Sequence, residues 1–552
     1  MCHIYSFAFS SKKDKFTQKS FFTHLQQKIM KKQFLFFKTS LLLIAFLLNI
    51  LSSKAQVITS LEIDALVERT LKTFDVPGIA VAIIKDDKVI HAKGYGVRSL
   101  KTMQKVDENT LFGVASNSKA YTAAALGILV DEKKLKWDDK VTDYIPEFKM
   151  YNPYVTEEFT IKDLLTHRSG LGLGAGDLMM WPDSSNFTKA DIIHNLRYLK
   201  PVSSFRTKYD YDNNLYIVAG EVVARVAKMP WEDFIEQRIM QPLGMSKSAA
   251  SLSRVKDKSN VIDPHAPVNG KVQAIGIDWS ETANAAGGIY SCVADMSKWV
   301  IAQINGGKYG DGSKRLFSEE VHQEMWSPQT IIPVRGATPY NTHFSSYGLG
   351  WFLSDIKGYK QATHTGGLAG IVTQVTILPE MKLGIIVFTN QQVGAAFTAI
   401  TNTIKDSYLG MPKVDRVAEY HARVVAGNEN AKKITDEIWN AINAQQKNNV
   451  KVDLNTFAGT FNDKWFGDIA ITPKNSKLMF ESKRSPRLTG EMLFYKGNTF
   501  VVKWNDRSLD ADAFVKFSLD TEGKAAGITM EAISPLTDFS FDFQDLDFQV
   551  VK

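Results

Sequence analysis

The chain has 552 residues, 44% of them hydrophobic, two cysteines and a formal charge of +7. Residues 1–55 hold nine lysines and one aspartate, or +8, which leaves +7 − 8 = −1 for everything after Ala55. A near-neutral body offers a polyanion little to grip, so no nucleic-acid partner is expected. With Cys2 in the basic head, Cys292 stands alone, and the rest of the chain must cohere by core burial rather than by an internal disulfide.

Residues 1–29 carry no targeting pattern and read as an over-extended start or a disordered segment. Residues 30–55 have a basic start (Lys31, Lys32, Lys38), an apolar run from Leu41 to Leu51 broken at Asn49, and a small-residue end at Ser53 and Ala55. This is the pattern of a secretory signal cleaved after Ala55. Its apolar run is shorter than the ~20 residues of a spanning helix. Secretion, to the periplasm, is therefore expected, with no membrane span after signal cleavage.

Residues 78–97, "GIAVAIIKDDKVIHAKGYGV", predict two strands joined at Asp86 and Asp87. From about Ser116 to Asp131 apolar residues surround nearly the whole helical cylinder, which places that helix inside a domain. Short helical patterns follow to roughly Met325, and residues 372–389 predict two more strands about a turn at Pro379 to Lys382. A sheet built from both ends, with helices between, makes one α/β domain over residues 56–410. Residues 411–450 are polar and helical, a linker or bracing arm. Residues 451–552 turn to short alternating runs such as "NTFVVKW" and "AFVKFSL", which predict a small antiparallel β-barrel.

Three short motifs carry the chemistry. In "GVASNSKAYT" Ser116 stands three positions ahead of Lys119. That spacing is weak alone, since Ser10/Lys13 and Ser253/Lys256 share it, and a capped helix start with a solvated lysine would also produce it. Tyr211-Asp212-Asn213 is the one Tyr-x-Asn of the chain, and His364-Thr365-Gly366-Gly367 sits just ahead of the closing hairpin. None of the ten histidines pairs as HxH or HxxxH and no cysteine cluster exists, so no metal is expected. Nor is there a GxSxG elbow, phosphate loop or dinucleotide fingerprint, and no cofactor is expected.

In this order the three motifs resemble those of the serine β-lactamase-like, penicillin-binding superfamily: class C β-lactamases, DD-peptidases, D-aminopeptidases and related esterases. "TIKDLLTHRSGL", "AAGGIYSCVADMSKW" and "TILPEMKLGIIVFTN" are similar to further family stretches, so the resemblance spans roughly residues 60–410. It implies an antiparallel sheet flanked by helices with an all-helical subdomain. The C-terminal β-domain resembles a lipocalin-like domain appended to some D-aminopeptidase-type members. By that analogy it walls the cleft or joins copies into a homo-oligomer.

On this resemblance Ser116 is the nucleophile. Three helical residues rotate by about 300°, which puts Lys119 on the same face to take its proton. Tyr211 is the second proton handler, and the sequence leaves open which of Lys119 and Tyr211 is the acylation base. Asn213 grips a substrate amide and orients Lys119, with a turn residue as the plain alternative. His364, where β-lactamases carry lysine, contacts the substrate together with Thr365, and Gly366 and Gly367 let a ligand backbone approach. The main-chain N–H groups of Ser116 and Gly367 form the oxyanion hole. His167 reads as scaffolding near the site. The expected activity is hydrolysis of an amide or ester in a small substrate, above all a D-amino-acid-containing peptide, through an acyl-enzyme. A carboxylesterase on the same site, and a penicillin-binding or cell-wall sensing protein that acylates once, are the alternatives.

Overall fold

The structure, a computed structural model, describes residues 30–32, 37–38, 57–448 and 450–551. Apart from its few described positions, the expected leader lies outside the described residues, as do residues 1–29. The described residues fall into two units, and the larger, residues 59–405 with 413–551, holds all that follows.

Its first helix, α1 (Ser60–Thr73), opens on a capping box in which the Thr59 hydroxyl accepts from the Glu62 N–H and the Glu62 carboxylate accepts from the Thr59 N–H. The predicted hairpin follows as β1 (Gly78–Lys85) and β2 (Lys88–Gly96), and returns to the sheet late in the chain as β3 (Thr330–Ile332), β4 (Ser345–Tyr347), β5 (Phe352–Ile356), β6 (Tyr359–Leu368), β7 (Ile371–Leu378) and β8 (Leu383–Thr389). The order is β2-β1-β8-β7-β6-β5-β4-β3, every pair antiparallel, with Val81 opposite Val387 and Ile83 opposite Ile385. Strands from the two ends of the domain thus meet at its centre. β1 and β8 are buried almost throughout, which is why their sequences are continuous apolar runs rather than alternations.

Between Ala115 and Asn260 every regular element is helical. The apolar helix is α2 (Lys119–Asp131), buried from Lys119 through Leu129, and it packs against α3 (Asn214–Ala227). α4 (Val293–Ile304) lies against β1 and β8. This is the expected α/β architecture with its helical subdomain.

The polar segment after the sheet forms one helix of 32 residues, α5 (Arg416–Lys447). Its C-terminal half seats Ile438 and Ile442 against Val501 and Ile533 of the small domain. That domain is a closed antiparallel barrel of eight strands: β9 (Gly459–Asp463), β10 (Gly467–Lys474), β11 (Lys477–Ser482), β12 (Thr489–Lys496), β13 (Thr499–Trp504), β14 (Ala513–Leu519), β15 (Ala525–Ala532) and β16 (Phe548–Val550). Closure pairs β9 with β16, Phe461 opposite Val550, and removes the exposed edges that short strands would otherwise leave. Phe457, Phe461, Phe500 and Phe517 pack ring to ring within it.

The barrel is docked on the helical subdomain through charge. Arg487 pairs with Asp183, with Asp278 at 2.8 Å and with Asp506 at 2.7 Å. Arg484 pairs with Asp191 at 3.0 Å, and Asn195 Nδ2 donates to the Trp465 carbonyl at 2.8 Å. Among the described residues no helix is long and apolar enough to cross a membrane.

Candidate active site

Ser116 is set by its neighbours before any chemistry begins. Phe112–Gly113 pairs with Tyr290–Ser291, the Val114 N–H donates to the Ile289 carbonyl, and Thr373 Oγ1 donates to the Val114 carbonyl at 2.9 Å. Ala115 then adopts φ 49°, a left-handed backbone that an alanine holds only when its surroundings insist. The sequence puts Ser116 in the first turn of the α-helix. In the structure residues Ala115–Ser118 are instead a 3₁₀ turn, and α2 begins at Lys119. The 3₁₀ geometry eclipses residues three apart, so Ser116 and Lys119 align more directly than an α-turn would allow. Neither the turn nor α2 has a side-chain N-cap, so Ser116 is not spent on helix capping.

Lys119 is 0% exposed, and its Nζ faces three oxygens: Ser116 Oγ at 3.1 Å, Asn213 Oδ1 at 2.7 Å and the Ala286 carbonyl at 2.9 Å. Burial pulls its pKa down to about 7, against the opposing attraction of Asp177 and Asp212. Both protonation states fit the cage. The ammonium donates to all three oxygens; the neutral amine keeps two N–H donors for the two carbonyl oxygens and turns its lone pair to the Ser116 hydroxyl.

Tyr211 and Asn213 lie on the loop that leads into α3. The Tyr211 carbonyl accepts from the Gly174 N–H, and His167 Nδ1 accepts from the Asp212 N–H at 3.0 Å. The His167 ring stacks on Tyr211 with centroids 4.2 Å apart, a scaffolding part. Lys119 Nζ lies 4.8 Å from the centre of the Tyr211 ring. The Tyr211 hydroxyl is buried with no hydrogen-bond partner, and burial raises its pKa well above the ordinary value, opposed by the nearby Ser116 hydroxyl. It is therefore a phenol held neutral beside the Ser116 hydroxyl.

Asn213 does not cap α3; its Oδ1 accepts from Lys119 while its Nδ2 donates to Asp177 Oδ2 at 2.8 Å. This fixes its amide orientation. Asp177 is buried, and burial raises its pKa well above the carboxylate range.

His364, Thr365, Gly366 and Gly367 lie on β6, and the two-residue period of the strand sorts them. Thr365 and Gly367 open toward solvent, while His364 and Gly366 are buried. β5 leaves β6 after Phe352 opposite Thr363, so residues 364–368 have an edge free for an extended ligand. A Cβ on Gly366 would sit 2.2 Å from the Val114 carbonyl oxygen, whereas one on Gly367 would meet nothing within 4 Å. His364 is 1% exposed; its Nδ1–H donates to the Thr365 carbonyl at 2.6 Å, which leaves Nε2 to accept from the Tyr347 hydroxyl at 2.9 Å. Burial lowers its pKa to about 3, with the Lys119 charge adding. The ring is neutral and brings no cation to the site.

The cleft above Ser116 encloses about 620 Å³. Trp181, Trp279, Phe352 and Phe397 line it from the α/β domain, and among the described residues that line it there is no lysine or arginine. Its far wall is the barrel, with Leu509, Leu536, Phe539 and Phe541, and the Phe539 ring meets Tyr211 edge-on at 5.9 Å. Among the described residues no group of three or more His, Cys, Asp or Glu side chains is placed to hold a metal ion.

The structure thus brings Ser116, Lys119, Tyr211, Asn213, His364, Thr365, Gly366 and Gly367 around one cleft. Sequence reasoning missed Asp177, Tyr347 and the Ala286 carbonyl. A single aspartate in "GLGAGDLMMW" belongs to no spacing pattern, and a carbonyl carries no side-chain signal at all.

Comparison with known proteins covers the same stretch of chain. The family model described as Beta-lactamase matches residues 63–409, and one described as Domain of unknown function (DUF3471) matches residues 445–550. Unguisins hydrolase ungD of Aspergillus violaceofuscus is 30% identical over 63% of this chain and 65% of its own length. Protein flp of Staphylococcus aureus is 26% identical over 60% of this chain and 62% of its own. The chain therefore spans somewhat less than two thirds of these relatives. The solved octameric penicillin-binding protein homologue from Pyrococcus abyssi matches with a TM-score of 0.58 at 19% identity, over 89% of this chain and 100% of that one, a likeness of fold.

Proposed function

The chain belongs to the Beta-lactamase family, within the serine β-lactamase and penicillin-binding superfamily, and from that premise we propose that it is a serine hydrolase acting through an acyl-enzyme on Ser116. The observation that carries the reading is the Lys119 amine, dry, held by two carbonyl oxygens and 3.1 Å from the Ser116 hydroxyl. Neutral Lys119 takes the hydroxyl proton as Ser116 Oγ bonds to the substrate carbonyl carbon. The oxyanion that forms is met by the main-chain N–H groups of Ser116 and Gly367. When the C–N or C–O bond breaks, the leaving group takes a proton from Tyr211, which Lys119 restores. Water then attacks the acyl-enzyme by the same proton route reversed, releasing the acid and Ser116. The pKa directions support this division, with Lys119 as base and Tyr211 as acid.

The substrate we propose is a D-amino-acid-containing peptide or amide of the D-aminopeptidase type. The neutral His364 and the absence of lysine and arginine among the described residues lining the cleft argue against an anchor for a substrate carboxylate, as β-lactams and D-Ala-D-Ala termini require. The aromatic lining favours an apolar side chain. Export through the leader at Met30 to Ala55 and assembly of copies through the barrel belong to the same proposal, the first supported by the charge and apolar pattern of the leader.

A substrate panel on wild type and Ser116→Ala tests the reading: D-aminoacyl amides, D-Ala-D-Ala peptides, nitrocefin and short p-nitrophenyl esters. Turnover of the amides, lost entirely in Ser116→Ala, is expected. Equal rates in the two proteins would overturn the mechanism. Ester turnover without any peptide product would make the protein a carboxylesterase, and one-time labelling without turnover would make it a binding protein.

A further inference from the structure

The barrel also touches the loop that carries Asp177. Residues 534–543 leave β15 and run across the loop that carries Asp177, where two side chains engage it. Asp542 Oδ2 accepts from the Gly176 N–H at 2.6 Å and its Oδ1 from the Leu178 N–H at 3.0 Å, one on each side of Asp177. Ser540 Oγ donates to Asp177 Oδ2 at 2.9 Å, the same oxygen that accepts from Asn213. Asp542 is fully buried, and Asp177 Oδ1 is buried with no partner, so this arrangement puts two carboxyls where water cannot reach them. A core built for stability alone gains little from such a pair. Gly174 shows how close the approach is: at φ 73°, a Cβ there would lie 2.7 Å from the Phe539 carbonyl oxygen.

We propose that Asp542 and Ser540 are positioning residues of the hydrolytic site: the barrel clamps the Gly176–Leu178 turn and orients Asp177, so that Asn213 and Lys119 hold their working places only while the barrel is docked. The chain of contacts is continuous, from Ser540 and Asp542 to Asp177, from Asp177 to Asn213 Nδ2, and from Asn213 Oδ1 to Lys119 Nζ. The proposal rests on the acyl-enzyme reading given above. It makes the C-terminal domain a working part of the active site rather than an appendage.

The test compares Asp542→Asn, Ser540→Ala and Ser540→Thr with wild type and with Asp463→Asn. Asp463 makes the same kind of contact elsewhere in the barrel, accepting from the Trp465, Phe466 and Asp547 N–H groups, and touches nothing in the site. An asparagine at 542 sets a donor NH2 against one of the two N–H groups that now meet separate oxygens. Two readouts are taken on the full chain, steady-state kinetics and the rate at which a fluorophosphonate labels Ser116. The expected loss in Asp542→Asn is about 10²-fold, the cost of a site misplaced by an ångström, in kcat and labelling rate with KM little changed. Ser540→Ala should lose about three- to tenfold, the net worth of one hydrogen bond, and Ser540→Thr should recover it by keeping the hydroxyl. Asp463→Asn should lower stability and leave kcat alone. Folded Ser540→Ala with wild-type kcat and labelling would overturn the proposal even if Asp542→Asn failed to fold, as would equal losses in Asp463→Asn. Failure of the acyl-enzyme reading looks different: wild type itself would neither turn over nor be labelled at Ser116.

Discussion

Lys119 is placed where a charge is least welcome, at the start of a helix buried on every side. The penalty of removing an ammonium from water brings its pKa to about 7, within reach of the conditions in which a base must work. A direction for pH dependence follows. Below that pKa the amine is protonated and cannot accept the Ser116 proton; above it the free base dominates. For an uncharged ester, kcat/KM should rise tenfold per pH unit on the acid side and level off with a midpoint near pH 7, the value set by Lys119. Lys119→Arg, always charged, should lose about 10³-fold and the midpoint with it. A flat profile from pH 5 to 9 would contradict this assignment. Lys119 was legible in the sequence because an apolar helix offers a lysine nowhere else to go. Asp177 was not, because its meaning comes from Asn213 and from Ser540, 363 positions away.

At the scale of elements, the strand β6 and the turn at Ser116 are one fitted joint. The sequence treated Gly366 and Gly367 alike, as places for a ligand backbone to approach. The structure separates them, since the period of the strand turns Gly366 inward onto the Val114 carbonyl and Gly367 outward to the cleft. Gly366→Ala should therefore cost about 1–3 kcal/mol by overpacking against backbone that cannot yield, and should slow labelling of Ser116 by shifting the turn. Gly367→Ala should leave stability unchanged. Denaturant unfolding of the two variants checks this; a Gly366→Ala protein as stable as wild type would contradict it. The 3₁₀ turn was equally hidden, because a left-handed alanine at 115 leaves no mark in composition. The long apolar strands and the alternating barrel strands, by contrast, declare their periods in any short window of sequence.

For the molecule as a whole, the two folds were readable and their docking was not. Arg487 bridges Asp183 and Asp278 of the body to Asp506 of the barrel, and the buried Asp278 is tolerable only with that counter-charge. Such contacts join residues some 300 positions apart by surface shape, which no local pattern encodes. The consequence is a cleft with Ser116, Tyr211 and Asn213 on one wall and Leu536, Phe539 and Phe541 of the barrel on the other. The acyl-enzyme reading requires that Ser116 be acylated and released during turnover. The direct measurement is peptide mapping by mass spectrometry of enzyme quenched during turnover of a p-nitrophenyl ester. The account predicts the acyl mass on the peptide carrying Ser116, absent from Ser116→Ala, which should not turn over. Continued turnover by Ser116→Ala, or an acyl group on any other residue, would contradict it.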